Sequence, residues 1–540
     1  MPDIPSRPAS FLVTLNPDHI ATLSDPAVTL QDVAATITSQ AGSLRVMADG
    51  PADDPVIEML RVAADDPHTL LVTLSDDDRA ALAARYGDAI VIEPDIELDL
   101  FDTVFAPSAM SPLNFFAAAE GELVIDVTLT GRDGTPVPRA EVTVQGSQIY
   151  GIAQAVTDAR GKARLTLYGE TPDSLREIKV KPSAGYWGLI IKRPDLTGVP
   201  VTRKVAQLAL TLTPISLHNG ETDVWGYLAM QLDKPTPAAQ PVRIAVIDSG
   251  LSASHDDLNP AGGHDFTNRG DPANAWRDDL SGHGTHVAGT CAARFDGHGI
   301  CGAAGPEAQV YGLSVFPGGR ASSLISALDW CVTHQIDVVN MSLGSAQGTN
   351  ALHQAVIRAT AAGITLVAAA GNAARPVMFP AAYPEVIAVA AIGKTGSFPA
   401  TSPEAAHIGA HRAGDFFSAA FTCFGPEIDV AGPGVAVISA VPSATNKDYA
   451  VMSGTSMASP YVAGFVARLL ATRPDLQALP RGQGRVQAVK SALRACCIDI
   501  GLPRPYQGHG LPVWGDVAPA EEGLVAQLRA VSDALARALA

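Results

Sequence analysis

The spacing of apolar positions changes character three times along the 540-residue chain. Up to about residue 105, short apolar runs alternate with stretches of helical spacing. FLVTL (11–15), LRVMA (44–48), TLLVTL (69–74) and AIVIEPDIEL (89–98) read as strands. LQDVAATITSQAG (30–42) and SDDDRAALAARYG (75–87) read as helices, the second opened by Ser75 as its N-cap. The pattern predicts a small α+β domain over residues 1–105. From 118 to 215 the period becomes two: ELVIDVTLTGRDGTPVPRAEVTVQG and AVTDARGKARLTLYG alternate apolar and polar residues around Asp-Gly and Arg-Gly turns. That predicts an antiparallel β-sandwich. The segment PTPAAQP (235–241) is a proline-rich linker.

A third domain, over 225–517, carries longer apolar runs that lack alternation: RIAVID (243–248), VYGLSVF (310–316), DVVNMSL (337–343), ITLVAAAGN (364–372) and VIAVAAI (386–392). Helical stretches such as ASSLISALDWCVTHQ (321–335) and ALHQAVIRATAAG (351–363) separate them. Strands buried on both faces and joined by helices predict an α/β fold, a parallel sheet covered on both sides. The tail 518–540 has the spacing of an amphipathic helix, expected to dock onto the preceding domain.

Composition narrows the function classes. A hydrophobic fraction of 47% with 17% charged residues suits packed domains. A net charge of -18 repels rather than neutralises a phosphate backbone, so nucleic acid is not an expected partner. No apolar run approaches the roughly 20 residues of a membrane-spanning helix, and no membrane partner is expected. The start MPDIPSRPASFLVTL lacks an apolar stretch after a basic one, so the chain as written reads as cytoplasmic; a secreted chain already relieved of its signal peptide would read the same way. Six cysteines without a CxxC pair make neither a disulfide scaffold nor a zinc site, and Cys496 and Cys497 read as ordinary thiols on a helix.

In an open parallel sheet, chemistry collects beyond the carboxyl ends of the strands. Asp248 ends the first strand, in VRIAVIDSG. His283 lies in SGHGTHVAGT and Ser456 in SGTSMASPYVAG, both small-residue turns running into helices, with Pro460 expected in the first turn of the second. A serine hydroxyl becomes a nucleophile when an imidazole takes its proton, and the imidazole needs a carboxylate to fix its tautomer. Asn372, after ITLVAAAG, offers a side-chain amide to a developing oxyanion, beside the N–H of Ser456 itself. His286 reads as packed structure rather than a base, and His407 and His411 as an exposed loop.

DSG, HGTHVAGT, AAAGN and GTSMASP, in that order, resemble the four signatures of the subtilase family over about 225–517. The resemblance implies a serine endopeptidase working through an acyl-enzyme on Ser456, with Asp248, His283 and Asn372, on protein or peptide substrates. No cofactor is required for that chemistry. Ser342, Leu343 and Gly344 would pair with substrate as an added strand, opposite Gly318 and Gly319. Met378 would sit at the base of the first specificity pocket, making it shallow and suited to small or medium apolar residues. Asp257 and Asp296 match positions that contribute to a calcium site in some members, although Arg294 and His298 depart from the usual loop. The domain 1–105, ending YGDAIVIEPDIEL, resembles the inhibitory propeptides of subtilases. That implies a self-processing zymogen restrained by its own N-terminal domain, cleaved either within 101–117 or within 213–240. The sandwich resembles accessory modules, with a spacer role expected. Two alternatives stay open: a peptide ligase or macrocyclase using the same triad, and a catalytically silent binding protein.

Overall fold

The computed structural model describes residues 9–16, 29–44, 57–61, 67–101, 122–147, 151–196, 201–202, 205–215, 224–234, 239–443 and 448–515. The predicted helix at 518–540 lies outside these residues.

In the first domain an antiparallel sheet runs in the order Ile57–Arg61, Pro67–Leu74, Ala9–Leu15, Ile90–Pro94. The helices Leu30–Leu44 and Asp76–Tyr86 bury Val33, Ile37 and Leu82 against Phe11, Val13, Leu70 and Val72 of the sheet. Ser75 does cap the second helix: its hydroxyl accepts the N–H of Asp78, and the Asp78 carboxylate accepts the N–H of Ser75. Leu44 ends a helix rather than starting the strand expected over 44–48, whose other residues are not described. The strand Ile57–Arg61 was not expected from the sequence, because it is short and acidic pairs flank it on both sides. FLVTL does not alternate because both faces of its sheet are covered. Phe11 and Val13 face the domain's own helices, whereas Leu12, fully buried, joins the core of the third domain.

The second domain is a sandwich of two four-stranded sheets. One holds Leu189–Lys192, Glu177–Lys181, Glu141–Gln145 and Ile152–Val156; the other Val201–Thr202, Val205–Leu212, Glu122–Gly131 and Lys162–Tyr168. Strict alternation along Glu122–Gly131 sends Leu123, Ile125, Val127 and Leu129 inward. The sandwich departs from a purely antiparallel arrangement at one pairing, Val205–Leu212 running parallel to Glu122–Gly131. It is hydrogen-bonded to the third domain, through Gly185 N–H to the Tyr449 carbonyl and Ile190 N–H to the Thr401 carbonyl, each 2.8 Å.

The third domain is built on a nine-stranded sheet. The strands Gly262–Asp265, Ala308–Ser314, Val242–Asp248, Val338–Met341, Thr365–Ala369 and Ile387–Lys394 lie side by side in that order, all parallel. Ile428–Pro433 also pairs parallel with Ile387–Lys394. The antiparallel hairpin Ile408–Ala413/Phe416–Ala419 extends the edge, so His411 belongs to sheet structure and His407 ends the short helical turn Pro403–His407 before it, rather than both lying in an exposed loop. His407 lies edge-on to Phe421 and His411 packs on Tyr506. Burial lowers the His407 pKa to about 4.

The helix Thr455–Thr472 runs through the core, all but its last residue buried. Its Arg468, 2% exposed, donates to the carbonyls of Leu232 (2.8 Å) and Lys234 (3.0 Å) and stacks on Trp514 at 4.5 Å. Replacing it with Ala strands the buried Leu232 carbonyl and the partly buried Lys234 carbonyl beside a cavity. Arg468→Ala is therefore expected to cost about 3 kcal/mol and to lower the melting temperature by several degrees. Calorimetry of the change in a Ser456→Ala chain, which cannot digest itself, checks this. An unchanged melting point would reject Arg468 as the clamp.

All six cysteines are thiols. Cys496 caps the helix Gln483–Ala495 and Cys497 has already entered a strand, so the two do not share a helix. Among the described residues, no helix is long and apolar enough to cross a membrane.

Candidate active site

Asp248 stands at the carboxyl end of its strand, and its Oδ1 accepts the Nδ1–H of His283 at 2.7 Å. The two residues are 0% and 1% exposed. Burial pushes the Asp248 carboxyl above its ordinary value, while His283 and the Ser249 N–H pull it back. With Nδ1 committed to Asp248, Nε2 is the ring nitrogen left to exchange a proton with a substrate or nucleophile. His283 opens a helix behind Gly282, whose φ of +79° suits glycine. A side chain at Gly284 would place its Cβ 1.9 Å from the Gly250 carbonyl, so the glycine after His283 lets the helix reach the Asp248 turn.

A second buried carboxylate organises this corner. Asp279 accepts the Ser249 hydroxyl (2.8 Å), the Gly282 N–H (3.0 Å) and both the N–H and hydroxyl of Thr285 (2.8 and 2.6 Å). Sequence reasoning did not single out Asp279 or Ser249. The only signal was a carboxylate four residues before His283, which looks like any turn residue.

Ser456 is the second residue of its helix. Pro460 is not in the first turn, as the sequence suggested, but in the second, as the sixth residue of the helix. Its missing N–H frees the Ser456 carbonyl, and the Ser342 hydroxyl donates to that carbonyl at 2.9 Å. Asn340 and Ser459 complete the link, through Asn340 Nδ2 to Ser342 Oγ (2.9 Å) and Ser459 Oγ to Asn340 Oδ1 (2.8 Å). The Ser456 hydroxyl itself donates to the Ser342 carbonyl at 2.9 Å.

The tail of the first domain occupies the cleft. The Phe101 carbonyl oxygen accepts the Ser456 N–H at 3.2 Å and the Asn372 Nδ2–H at 2.6 Å. Upstream of it the chain is paired on both sides. Phe101 N–H donates to Ser342 O, while Leu100 and Asp99 lie antiparallel to Leu343 and Gly344. On the other edge, Leu98 N–H donates to Gly319 O (2.9 Å) and Ala321 N–H to Ile96 O (3.0 Å). The structure thus brings Ser342, Leu343, Gly344 and Gly319 against one extended strand; Gly318, at φ +80°, makes the turn before it.

The expectation of a shallow pocket is corrected. Phe101 is 4% exposed and lies in one buried cluster with Met378. Its ring comes so close to Gly344 that a Cβ there would be 2.8 Å from Cζ. Met378 does lie low, its sulfur against Gly371, but the bare wall at Gly344 makes room for an aromatic ring.

The calcium expectation is not met by the donors present. Asp257 Oδ2 accepts the Ile300 N–H and the Tyr449 hydroxyl, both at 3.0 Å, while Asp296 pairs with Arg294 at 3.2 Å. Calcium requires six to eight oxygens. Among the described residues, no group of three or more His, Cys, Asp or Glu side chains could hold a metal. His286 is fully buried, its Nε2 directed at the carbonyls of Val437 and Ala450, and burial lowers its pKa to about 3. It is packing, not a base.

Comparison with known proteins places the third domain in a family. The model of the subtilase family matches residues 239–494. Subtilisin DY of Bacillus licheniformis is 38% identical over 278 residues, 50% of this chain and 88% of that one. The thermostable alkaline protease of Halalkalibacterium halodurans is 41% identical over 237 residues, 43% of this chain and 58% of that one. The minor extracellular protease Epr of Bacillus subtilis is 36% identical over 277 residues, 50% of this chain and 37% of that one.

Proposed function

Because the chain belongs to the subtilase family and is a serine endopeptidase, we propose that it is made as a zymogen whose first 101 residues inhibit it and are removed by cleavage of the Phe101–Asp102 bond. One observation carries this reading: the Phe101 carbonyl oxygen sits between the Ser456 N–H and the Asn372 amide, where a scissile carbonyl would have to be.

The chemistry then needs only this chain's side chains. Ser456 Oγ turns from the Ser342 carbonyl toward His283, gives up its proton to Nε2 and attacks the Phe101 carbonyl carbon. Asp248 stabilises the imidazolium. The oxyanion forms against the two donors, and His283 returns the proton to the departing Asp102 nitrogen. Water then releases Phe101 from Ser456 by the same steps. Asp248, His283, Ser456 and Asn372 are the catalytic residues in this reading. Cleavage here leaves the sandwich on the enzyme, consistent with its hydrogen bonds to Tyr449 and Thr401.

Inhibition beyond the cleft rests on polar contacts between the first domain and the third. Glu93 accepts the N–H groups of Asn350 (2.8 Å) and Ala351 (3.1 Å), at the start of the helix Asn350–Ala361. His68 lies 2.8 Å from the buried Asp329. A carboxylate at a helix N-terminus contributes about 1 kcal/mol. Glu93→Ala should therefore release the cleaved domain about fivefold sooner. Labelling of Ser456 with a fluorophosphonate, followed from the moment of cleavage, should rise earlier by that factor. An unchanged time course would argue against capping as the restraint.

A further inference from the structure

The tail that fills the cleft carries an acid at every second position: Glu93, Asp95, Glu97 and Asp99, interleaved with Ile96, Leu98 and Leu100. The donors that meet two of these acids stay with the enzyme after cleavage. Asp95, seventh residue back counting Phe101 as the first, is 5% exposed; its carboxylate accepts the N–H (2.9 Å) and the hydroxyl (2.8 Å) of Ser322. Arg320 donates one guanidinium N–H to the Asp95 carbonyl (2.8 Å) and another to the Glu97 carboxylate (3.1 Å), the fifth residue back. Ser322 is the second residue of the helix Ala321–Thr333. That helix has no side-chain cap of its own and no acid in its first turn, unlike Asn350–Ala361, which Thr349 caps. Its N-terminus is completed by the tail, through the Ile96 carbonyl on the Ala321 N–H and the Asp95 carboxylate on Ser322.

We propose that Arg320 and Ser322 form an acid-reading subsite of the mature enzyme. They would favour protein substrates with carboxylates at the fifth and seventh positions counted back from a scissile aromatic residue. This rests on the reading of Phe101 as the residue whose carbonyl is attacked. Residues 1–101 carry 18 acids and 5 bases, so their loss takes the net charge from -18 to -5; the remaining long-range repulsion of acidic peptides is weak and is screened near 0.15 M salt, where the local preference is best measured. The Arg320–Glu97 pair is largely exposed and is worth about 1.5–5-fold. The Asp95 contact is buried and doubly bonded; with part of the gain taken back by desolvation, it is worth about tenfold.

The test uses the wild-type enzyme after it has lost residues 1–101, with peptides spanning 93–101 ending in a chromogenic amide. One peptide has the natural sequence, one carries Asp95→Asn, one Glu97→Gln, and one both changes. The natural peptide should have the highest kcat/KM and the double change about 20-fold less. The loss should fall mainly in KM, since these contacts are remote from the reacting bond. In the Arg320→Gln enzyme the advantage of the natural peptide over the Glu97→Gln peptide should fall below twofold. In the Ser322→Ala enzyme its advantage over the Asp95→Asn peptide should shrink by about half in free energy, to about threefold, because the backbone N–H remains. Cleavage of all four peptides after Phe101 within twofold of one another would overturn the subsite while leaving the processing site intact. No release of the amide from any of them would instead overturn the reading of Phe101, and the subsite with it.

Discussion

On incubation, wild-type chain should split into a fragment ending at Phe101 and a remainder beginning at Asp102, while Ser456→Ala keeps its full mass. The choice of bond is the sharper half of this expectation. Two regions were open from sequence, 101–117 and 213–240. Among the described residues, Phe101 is the one with its carbonyl on the two donors and its strand hydrogen-bonded along both edges of the cleft. The beginning of the other region is tied into the sandwich: Trp187 N–H donates to Thr213 O (2.8 Å) and Ile215 N–H to Gly185 O (2.9 Å). Because the tail already lies in its own chain's cleft, the half-time should not change on dilution. Phe101→Asp should slow the cut by about 10³, since an unpaired carboxylate in the apolar cluster around Leu98 and Met378 costs about 4 kcal/mol. Intact-mass spectrometry over time reads all three chains. A wild-type chain that stays whole, or one cut at a bond indifferent to Phe101→Asp, would remove the basis of the proposed zymogen.

Much of the third domain could be read directly from the sequence, for a physical reason. Strands buried on both faces cannot alternate, so RIAVID or VIAVAAI stand out as unbroken apolar runs. Turns that must bring a helix start against a strand end tolerate only small residues, which is why HGTH and GTSMASP are conspicuous. Where packing rather than local chemistry decides, the sequence was poorer. Asp279 and Ser249 look like ordinary turn residues until the fold buries them beside Asp248. The hairpin at 408–419 has weak alternation, with Gly409, His411 and Arg412 in its first strand, and reads as a loop. The pocket was misjudged because Met378 was weighed without the glycine facing Phe101. The alternation of acids in IEPDIELDLF was visible, but its partners Arg320 and Ser322 lie more than 200 residues away.

The second large effect concerns Asn372. Its Oδ1 is held by the Thr455 N–H (2.9 Å) and hydroxyl (2.8 Å), and that hydroxyl accepts the Gly371 N–H (3.1 Å). Both Thr455 donors need an acceptor, so the other end of the amide must be its NH2, aimed at the Phe101 oxygen. This orientation favours the oxyanion over the neutral carbonyl, because charge appears on that oxygen only as the tetrahedral intermediate forms. Asn372→Ala should therefore lower kcat on a peptide amide by about 10²–10³, a magnitude taken over from a subtilisin rather than derived from this geometry, with KM little changed. Asn372→Asp should do worse. Its carboxylate satisfies Thr455 equally well but sets a negative charge beside the developing oxyanion, so a fold that survives intact would still lose turnover. If both variants instead raised KM and left kcat alone, Asn372 would be a ground-state anchor for the tail, and the oxyanion would have to be stabilised without its amide.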